Sequence, residues 1–226
     1  MGEDVGGRKV KSWSYSAWSQ HEKCPAQYAY QRIDGLPRGP DGPALTRGTA
    51  IHEALERYLR HQTDELPSGA SMFQDELHKL REQSAISELE IVLAEDGSRV
   101  EWRSPVAWLR AKIDALVLSD DGKQATVIDF KTGQIYPEHD LQMELYAWLT
   151  LDEFSELQTV TPEFWYLDKG TIEIGAEYTR SALQELDRKW RQRGETLLAA
   201  KTFDPRPGAH CRWCPYNGDP CEAAER

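Results

Sequence analysis

No apolar run in the sequence approaches the ~18 residues of a membrane-spanning helix. The opening MGEDVGGRKVKS also lacks the apolar core of a secretory signal. A cytoplasmic protein with no membrane segment is therefore expected. Internal repeats and long low-complexity linkers are missing too, so no repeat architecture is expected. Cysteine is scarce, at four residues in 226, too few for a scaffold built on disulfides. An excess of positive charge is absent: the net charge of −11 argues against a protein that simply coats nucleic acid. What remains is an ordinary globular composition, with 39% hydrophobic and 29% charged residues. The length suits one domain, or one domain with an appendage, and is enough for a sizeable core. Charge is unevenly spread. Residues 61–101 are acid-rich, whereas the span from Arg180 to Trp213 holds Arg180, Arg188, Lys189, Arg191, Arg193, Lys201, Arg206 and Arg212. Such a stripe fits either a basic groove or a solvated helix face.

A helix is expected after Ser14, with Pro25 bending or breaking it. The stretch from Gly35 to Pro43 reads as turn. TRGTAIHEALERYLRHQ places Ile51, Leu55, Tyr58 and Leu59 at helical spacing, and a further helix is expected over Met72 to Glu88. EIVLAEDGSRVEW reads as a hairpin turning at Asp96-Gly97. VAWLRAKIDALVLSDDGKQATVIDFKTG is a second, clearer hairpin. A helix from about Glu138 to Asp152 follows, with Leu145 and Trp148 expected in the core. Strands in EFWYLDK and TIEIGAEY come next, then a long amphipathic helix with Ser181 as its N-cap. This order predicts an α/β domain around a small sheet flanked by helices.

Alternation places Val127, Asp129 and Lys131 on one face of their strand. A solvated Asp–Lys pair would explain an isolated D-x-K. The turn changes that reading. If Asp121-Gly122 centres the loop, Asp120 opposes Lys123 and Asp114 opposes Asp129. Opposed like charges, with Cβ atoms about 4.5–5.5 Å apart, destabilise a sheet unless something sits between them. A divalent cation such as Mg²⁺, which takes oxygen ligands, fits that place. Lys131 would project beside it, near the attacking water and a phosphate. A one-residue slip would remove the whole arrangement.

The cysteines are Cys24 and the C-x₂-C-x₆-C set Cys211, Cys214 and Cys221. A C-x₂-C pair in a cytoplasmic protein points to metal or redox chemistry. Four thiolates suit either zinc or a [4Fe–4S] cluster. His210, next to Cys211, is then a bystander.

The order GTAIH, AKID, VIDFKTG and Q-x-x-x-Y resembles the RecB-like branch of the PD-(D/E)XK nuclease superfamily, over nearly the whole chain. The resemblance implies a restriction-endonuclease-like core spanning residues 1–226. It implies a metal held by His52, Asp114 and Asp129, with Lys131 as the catalytic lysine. Gln142 and Tyr146 share one helix face, and the resemblance puts that face beside the active site, contacting DNA or orienting Lys131. The cysteine pattern resembles the iron–sulfur nucleases of this branch, which include CRISPR-adaptation exonucleases, the AddB nuclease domain and phage enzymes. That implies a structural [4Fe–4S] cluster on Cys24, Cys211, Cys214 and Cys221, stapling residues 1–45 and 201–226 into one lobe. The implied activity is an Mg²⁺- or Mn²⁺-dependent exonuclease leaving 5′-phosphates at DNA ends or in single strands. Its implied partners are DNA and CRISPR-adaptation or recombination proteins; if the basic stripe lines the path of the strand, Arg188 and Arg191 contact the DNA. The rivals are a catalytically silent DNA-binding or scaffold module and a zinc-stapled interaction protein.

Overall fold

The computed structural model describes residues 11–40, 42–134 and 139–223. In chain order its helices are α1 (Tyr15–Lys23), α2 (Pro25–Tyr28), α3 (Pro43–Leu59), α4 (Gln74–Glu82), α5 (His139–Glu153) and α6 (Leu183–Ala199). Its strands are β1 (Ile86–Ala94), β2 (Ala107–Leu118), β3 (Gln124–Lys131), β4 (Thr159–Tyr166), β5 (Thr171–Ile174) and β6 (Tyr178–Thr179). They fall into two units. One draws on the described parts of Met1–Pro40, Val92–Arg110 and Arg191–Arg226, the other on those of Asp41–Ile91 and Ala111–Trp190.

In the first unit, Ser14 caps α1 by accepting the Ala17 N–H at 3.3 Å. Pro25 opens α2, where its missing N–H costs nothing, so the expected break falls at Cys24. A π-helical turn, Ala29–Ile33, follows. Trp13 donates its N–H to Trp108 O at 2.8 Å and accepts the Arg110 N–H at 2.9 Å. Its ring meets Trp108 edge-on at 5.3 Å. A Cβ at Gly194 would lie 2.8 Å from Trp108 Cζ2, so only glycine lets that helix approach. The expected turn at Asp96-Gly97 forms, with the Gly97 N–H on Ala94 O at 3.0 Å and φ of +87° at Gly97. Its return leg makes one isolated bridge, Leu93 to Arg99, before the chain turns again at Ser104.

The second unit carries the ladder around which the site is built. Sheet order is β1-β2-β3-β4-β5, with β6 also on β4. β2 and β3 pair antiparallel, and β3 and β4 pair parallel, so the sheet is mixed as expected. Ile128 and Phe130 point into a core with Ile51, Leu55 and Tyr58 of α3 and Leu77 and Leu80 of α4. The alternate residues face α5, which packs against β3 and β4. α5 is buried at Met143 and from Leu145 to Leu151, with Leu145 and Trp148 both at 0% exposure. Its expected first residue, Glu138, lies outside the described residues. The C-terminal end of α5 is held by Arg180, which donates to the carbonyls of Leu157, Leu151 and Phe154 at 2.7, 2.6 and 2.5 Å.

Two boundaries differ from the sequence reading. The helix expected over Met72 to Glu88 is a 3₁₀ turn, Ser68–Phe73, followed by α4, which stops at Glu82. Ser84 has a φ of +55°, the left-handed conformation that ends helices, and Ile86 to Glu88 belong to β1. Ser181 is not an N-cap either. It sits within a 3₁₀ turn, Arg180–Ala182, and its hydroxyl pairs with that of Thr179 at 2.7 Å. No helix among the described residues is long and apolar enough to cross a membrane.

Candidate metal centre and catalytic cleft

The β2–β3 ladder pairs Ala115 with Ile128, Leu116 with Val127, Val117 with Thr126 and Leu118 with Ala125. Continued by one step, that register sets Asp114 against Asp129, as the turn predicts. The backbone pairing stops short of that step. Asp114 Oδ2 instead accepts the Phe130 N–H at 2.8 Å, so a carboxylate replaces a backbone acceptor where the ladder ends.

His52 comes from α3. Its Nδ1 lies 3.4 Å from Asp114 Oδ1, and its ring stands edge-on to Phe130 at 6.3 Å. Gly48, one turn earlier, explains how close the helix runs. A Cβ there would sit 2.9 Å from Thr132 Oγ1, so glycine allows α3 to press against the end of β3. On the other side, Lys131 Nζ lies 2.6 Å from Asp129 Oδ2, although Oδ2 receives no aligned hydrogen bond. Lys131 Nζ does donate to Gln142 Oε1 at 2.9 Å, and Gln142 Nε2 donates to Tyr146 OH at 2.9 Å. The two α5 residues therefore form a chain ending on the lysine, and Tyr146 is itself buried.

Glu88 was missed in the sequence, where it was assigned to the end of a helix. One of its carboxylate oxygens, a ring nitrogen of His52 and a carboxylate oxygen of Asp114 lie within 4.8 Å of one another, the sole such set of three or more among the described residues. Glu88 has a φ of +55° within β1. That conformation is costly for a residue with a side chain and gathers at functional sites. The alternation S-E-L-E carries no signal of it. Lys112 forms an ion pair with Glu88. Asp129 lies outside this set of three and faces Lys131 instead. These six residues, with Gln142 and Tyr146, line one cleft of ≈ 670 Å³.

Burial and mutual proximity shift the protonation of the groups in this cleft. Asp129 is 3% exposed; burial, with Asp114 nearby and against the pull of Lys131, lifts its pKa to about 6. Burial raises Glu88 as well, opposed by Lys112. For His52, burial disfavours the charged ring, but Asp114, Asp129 and Glu88 outweigh it and raise the pKa to about 9. Three carboxylates and one imidazole crowd together, with Lys131 and Lys112 paired against Asp129 and Glu88. The carboxylates and the imidazole are the oxygen and nitrogen donors that Mg²⁺ or Mn²⁺ would take.

The four cysteines all line one small cavity of the first unit, beside Tyr30 and His210, and none is in a disulfide. No three of their sulfurs fall within 4.8 Å of one another. Burial raises the Cys214 thiol, and Cys24, Cys221 and Cys211 add to the shift. Of the two arginines expected along a DNA path, Arg188 is exposed. Arg191 donates to Glu95 O at 2.8 Å and lies over the Trp108 ring at 5.5 Å.

Comparison with known proteins gives the setting. The chain resembles the crystal structure of SSO0001 with a TM-score of 0.50 and 17% identity, covering 96% of this chain and 88% of that one. It resembles a candidate exonuclease from Eubacterium rectale with a TM-score of 0.51 and 12% identity, covering 95% and 87%. Likeness at these identities is one of fold. No curated protein matches the sequence. The model of one family, described as the PD-(D/E)XK nuclease superfamily, matches residues 12–218, a span that includes α3, β2, β3 and α5. The chain belongs to the PD-(D/E)XK nuclease superfamily.

Proposed function

We propose that the chain is a divalent-metal-dependent DNA exonuclease of the RecB-like branch, hydrolysing phosphodiester bonds at DNA ends or in single strands. One observation carries this reading: His52, Glu88, Asp114, Asp129 and Lys131 share a single cleft in a chain of a nuclease superfamily. His52, Glu88 and Asp114 would hold Mg²⁺ or Mn²⁺, with Asp129 beside them. A bound cation of this kind acidifies a water and neutralises charge on the scissile phosphate. Lys131 places its ammonium at the attacking water, and Gln142 fixes it there through the 2.9 Å bond. Tyr146 holds Gln142 in turn.

On this reading the chain is one nuclease domain, with residues 1–45 and 201–226 as its cysteine lobe; residues 1–10, 41 and 224–226 lie outside the described residues. Cys24, Cys211, Cys214 and Cys221 carry a [4Fe–4S] cluster rather than zinc. The support is geometric. Tetrahedral zinc, with Zn–S near 2.3 Å, would bring the sulfurs to roughly 3.8 Å from one another. The cysteines share one cavity at wider spacing, which suits thiolates that each bind a different iron. Cytoplasmic partners in CRISPR adaptation or in recombination and repair would supply the DNA.

Digestion of end-labelled single-stranded and duplex DNA with Mg²⁺ or Mn²⁺ tests the reading. The parent should release 5′-phosphorylated products from the ends, and Asp129→Ala should lower the rate roughly a hundredfold or more. Binding without cleavage under every condition would make the chain a silent scaffold. Undiminished cleavage by Asp129→Ala would mean the site is elsewhere. Iron analysis of anaerobically purified protein should give about four irons per chain; one zinc instead would remove the cluster and leave the nuclease reading standing.

A further inference from the structure

We infer that Trp213 and Arg212 form a platform on which one unpaired base of a single-stranded nucleic acid stacks, outside the residues of the metal centre. The inference rests on the nuclease reading and adds a contact to it. Six of the other seven tryptophans are buried, whereas Trp213 is 74% exposed, more than any other large apolar side chain among the described residues. An indole left in water forfeits the burial that normally retains it, which marks the position as an interaction surface.

The ring is also prepared. Arg212 Nε donates to Ala209 O at 3.2 Å, and its guanidinium lies 4.2 Å from the Trp213 ring centroid. Both residues sit on the short turn Ala209–Trp213, which Cys214 closes by donating its N–H to Cys211 O at 3.1 Å. Held at both ends, the pair presents an aromatic plane and a cation together. Bases stack on such planes whatever their identity, and arginine adds a cation–π contribution.

Charge selects the partner. The described residues of this unit, those within Met1–Pro40, Val92–Arg110 and Arg191–Arg226, carry twelve Lys and Arg against nine Asp and Glu. The chain as a whole stands at −11. A phosphate backbone is therefore better received by this unit than by the average surface of the molecule. An indole that is 74% exposed is open to an unstacked base, whereas the bases of a continuous duplex have both faces covered, so a single strand is the form that fits.

Anisotropy of fluorescein-labelled oligothymidylate, titrated with the full chain in the absence of divalent metal, tests the inference. Trp213→Ala should weaken binding roughly tenfold or more, the loss expected for a stacked base, and Trp213→Phe should recover most of it. Binding of a blunt duplex of equal length should change far less. Arg212→Ala should weaken single-strand binding and reduce its dependence on salt. Circular dichroism and metal content of each variant, matching the parent, keep folding out of the comparison. Equal affinity of Trp213→Ala and the parent for oligothymidylate would overturn the inference, as would an equal loss on duplex. So would a shift in sedimentation from oligomer to monomer in Trp213→Ala, which would assign the ring to a protein contact. A parent that neither binds nor cuts any nucleic acid defeats the nuclease reading itself. A parent that cuts normally alongside an unaffected Trp213→Ala defeats the platform alone.

Discussion

Asp114 places two demands on one carboxylate, since Oδ2 accepts the Phe130 N–H and Oδ1 faces His52. Asp114→Ala strands a buried N–H and should cost about 1–3 kcal/mol of stability. Asp114→Asn keeps an acceptor and should stay within about 1 kcal/mol of the parent, while losing most of its Mn²⁺ affinity. Urea denaturation beside Mn²⁺ titration separates the two, and equal stability of Ala and Asn would show that the 2.8 Å bond contributes nothing. Protons compete for the same groups. Asp129 is raised from 3.8 to about 6, and His52 from 6.5 to about 9. Both groups therefore hold more protons folded than unfolded, Asp129 between about 3.8 and 6 and His52 between 6.5 and about 9. Stability of the metal-free protein should fall as pH rises through each window. Mn²⁺ needs the deprotonated ligands, so its stabilising effect should grow over the same range. Thermal midpoints with EDTA and with Mn²⁺ from pH 4 to 9 check this; a metal-free midpoint that stays flat would contradict it. At this scale the opposed aspartates were legible because strand alternation and the loop centred on Asp121-Gly122 determine them together. Glu88 was not, because its position depends on a positive φ that nothing in S-E-L-E announces.

Among the elements, α3 and the end of β3 are held together by the lack of a side chain at Gly48. Gly48→Ala gains up to about 1 kcal/mol of helix propensity but pushes Thr132 away, so stability should change little. His52 moves with the helix, and a displacement of this kind should lower kcat roughly tenfold or more. The double variant Gly48→Ala/Thr132→Ala removes the obstacle and should regain much of the rate. No recovery would mean that Thr132 is not what the glycine accommodates. The hairpin of β2 and β3 was readable down to its register, since a turn and two alternating strands over-determine it. The end of α4 was not, because the helical pattern continues past Glu82 and only the backbone at Ser84 stops it. The return leg after Asp96-Gly97 was over-read. Its alternation is present, but the turn at Ser104 leaves room for a single bridge.

At the scale of the molecule, the basic stripe changes meaning. Arg180 is used on three carbonyls, Lys189 on Glu144 at 2.6 Å, Arg191 on Glu95 O, and Arg206 on Glu22 O at 2.5 Å. Charge counting along the chain does not see such internal partners, so the stripe looked more available than it is. Arg188 is exposed, and we expect Arg188→Ala to weaken DNA binding severalfold and to lower the slope of log affinity against log salt by about one. Arg191→Ala should instead cost stability; a salt slope that moves with Arg191 and not with Arg188 would reverse the assignment. The first unit has a further consequence, one of timing. Its parts come from three separate stretches of chain, and Cys24 precedes Cys211 by roughly 190 residues. At about 5–20 residues per second of synthesis, Cys24 waits roughly 10 to 40 s on the ribosome before its companions exist. The residues of α3 through β5 are all made within that interval. A ligand that needs all four thiols can therefore join only after every residue of the cleft has been synthesised, and a chain that stops between α6 and Cys211 carries the cleft residues with a lone thiol.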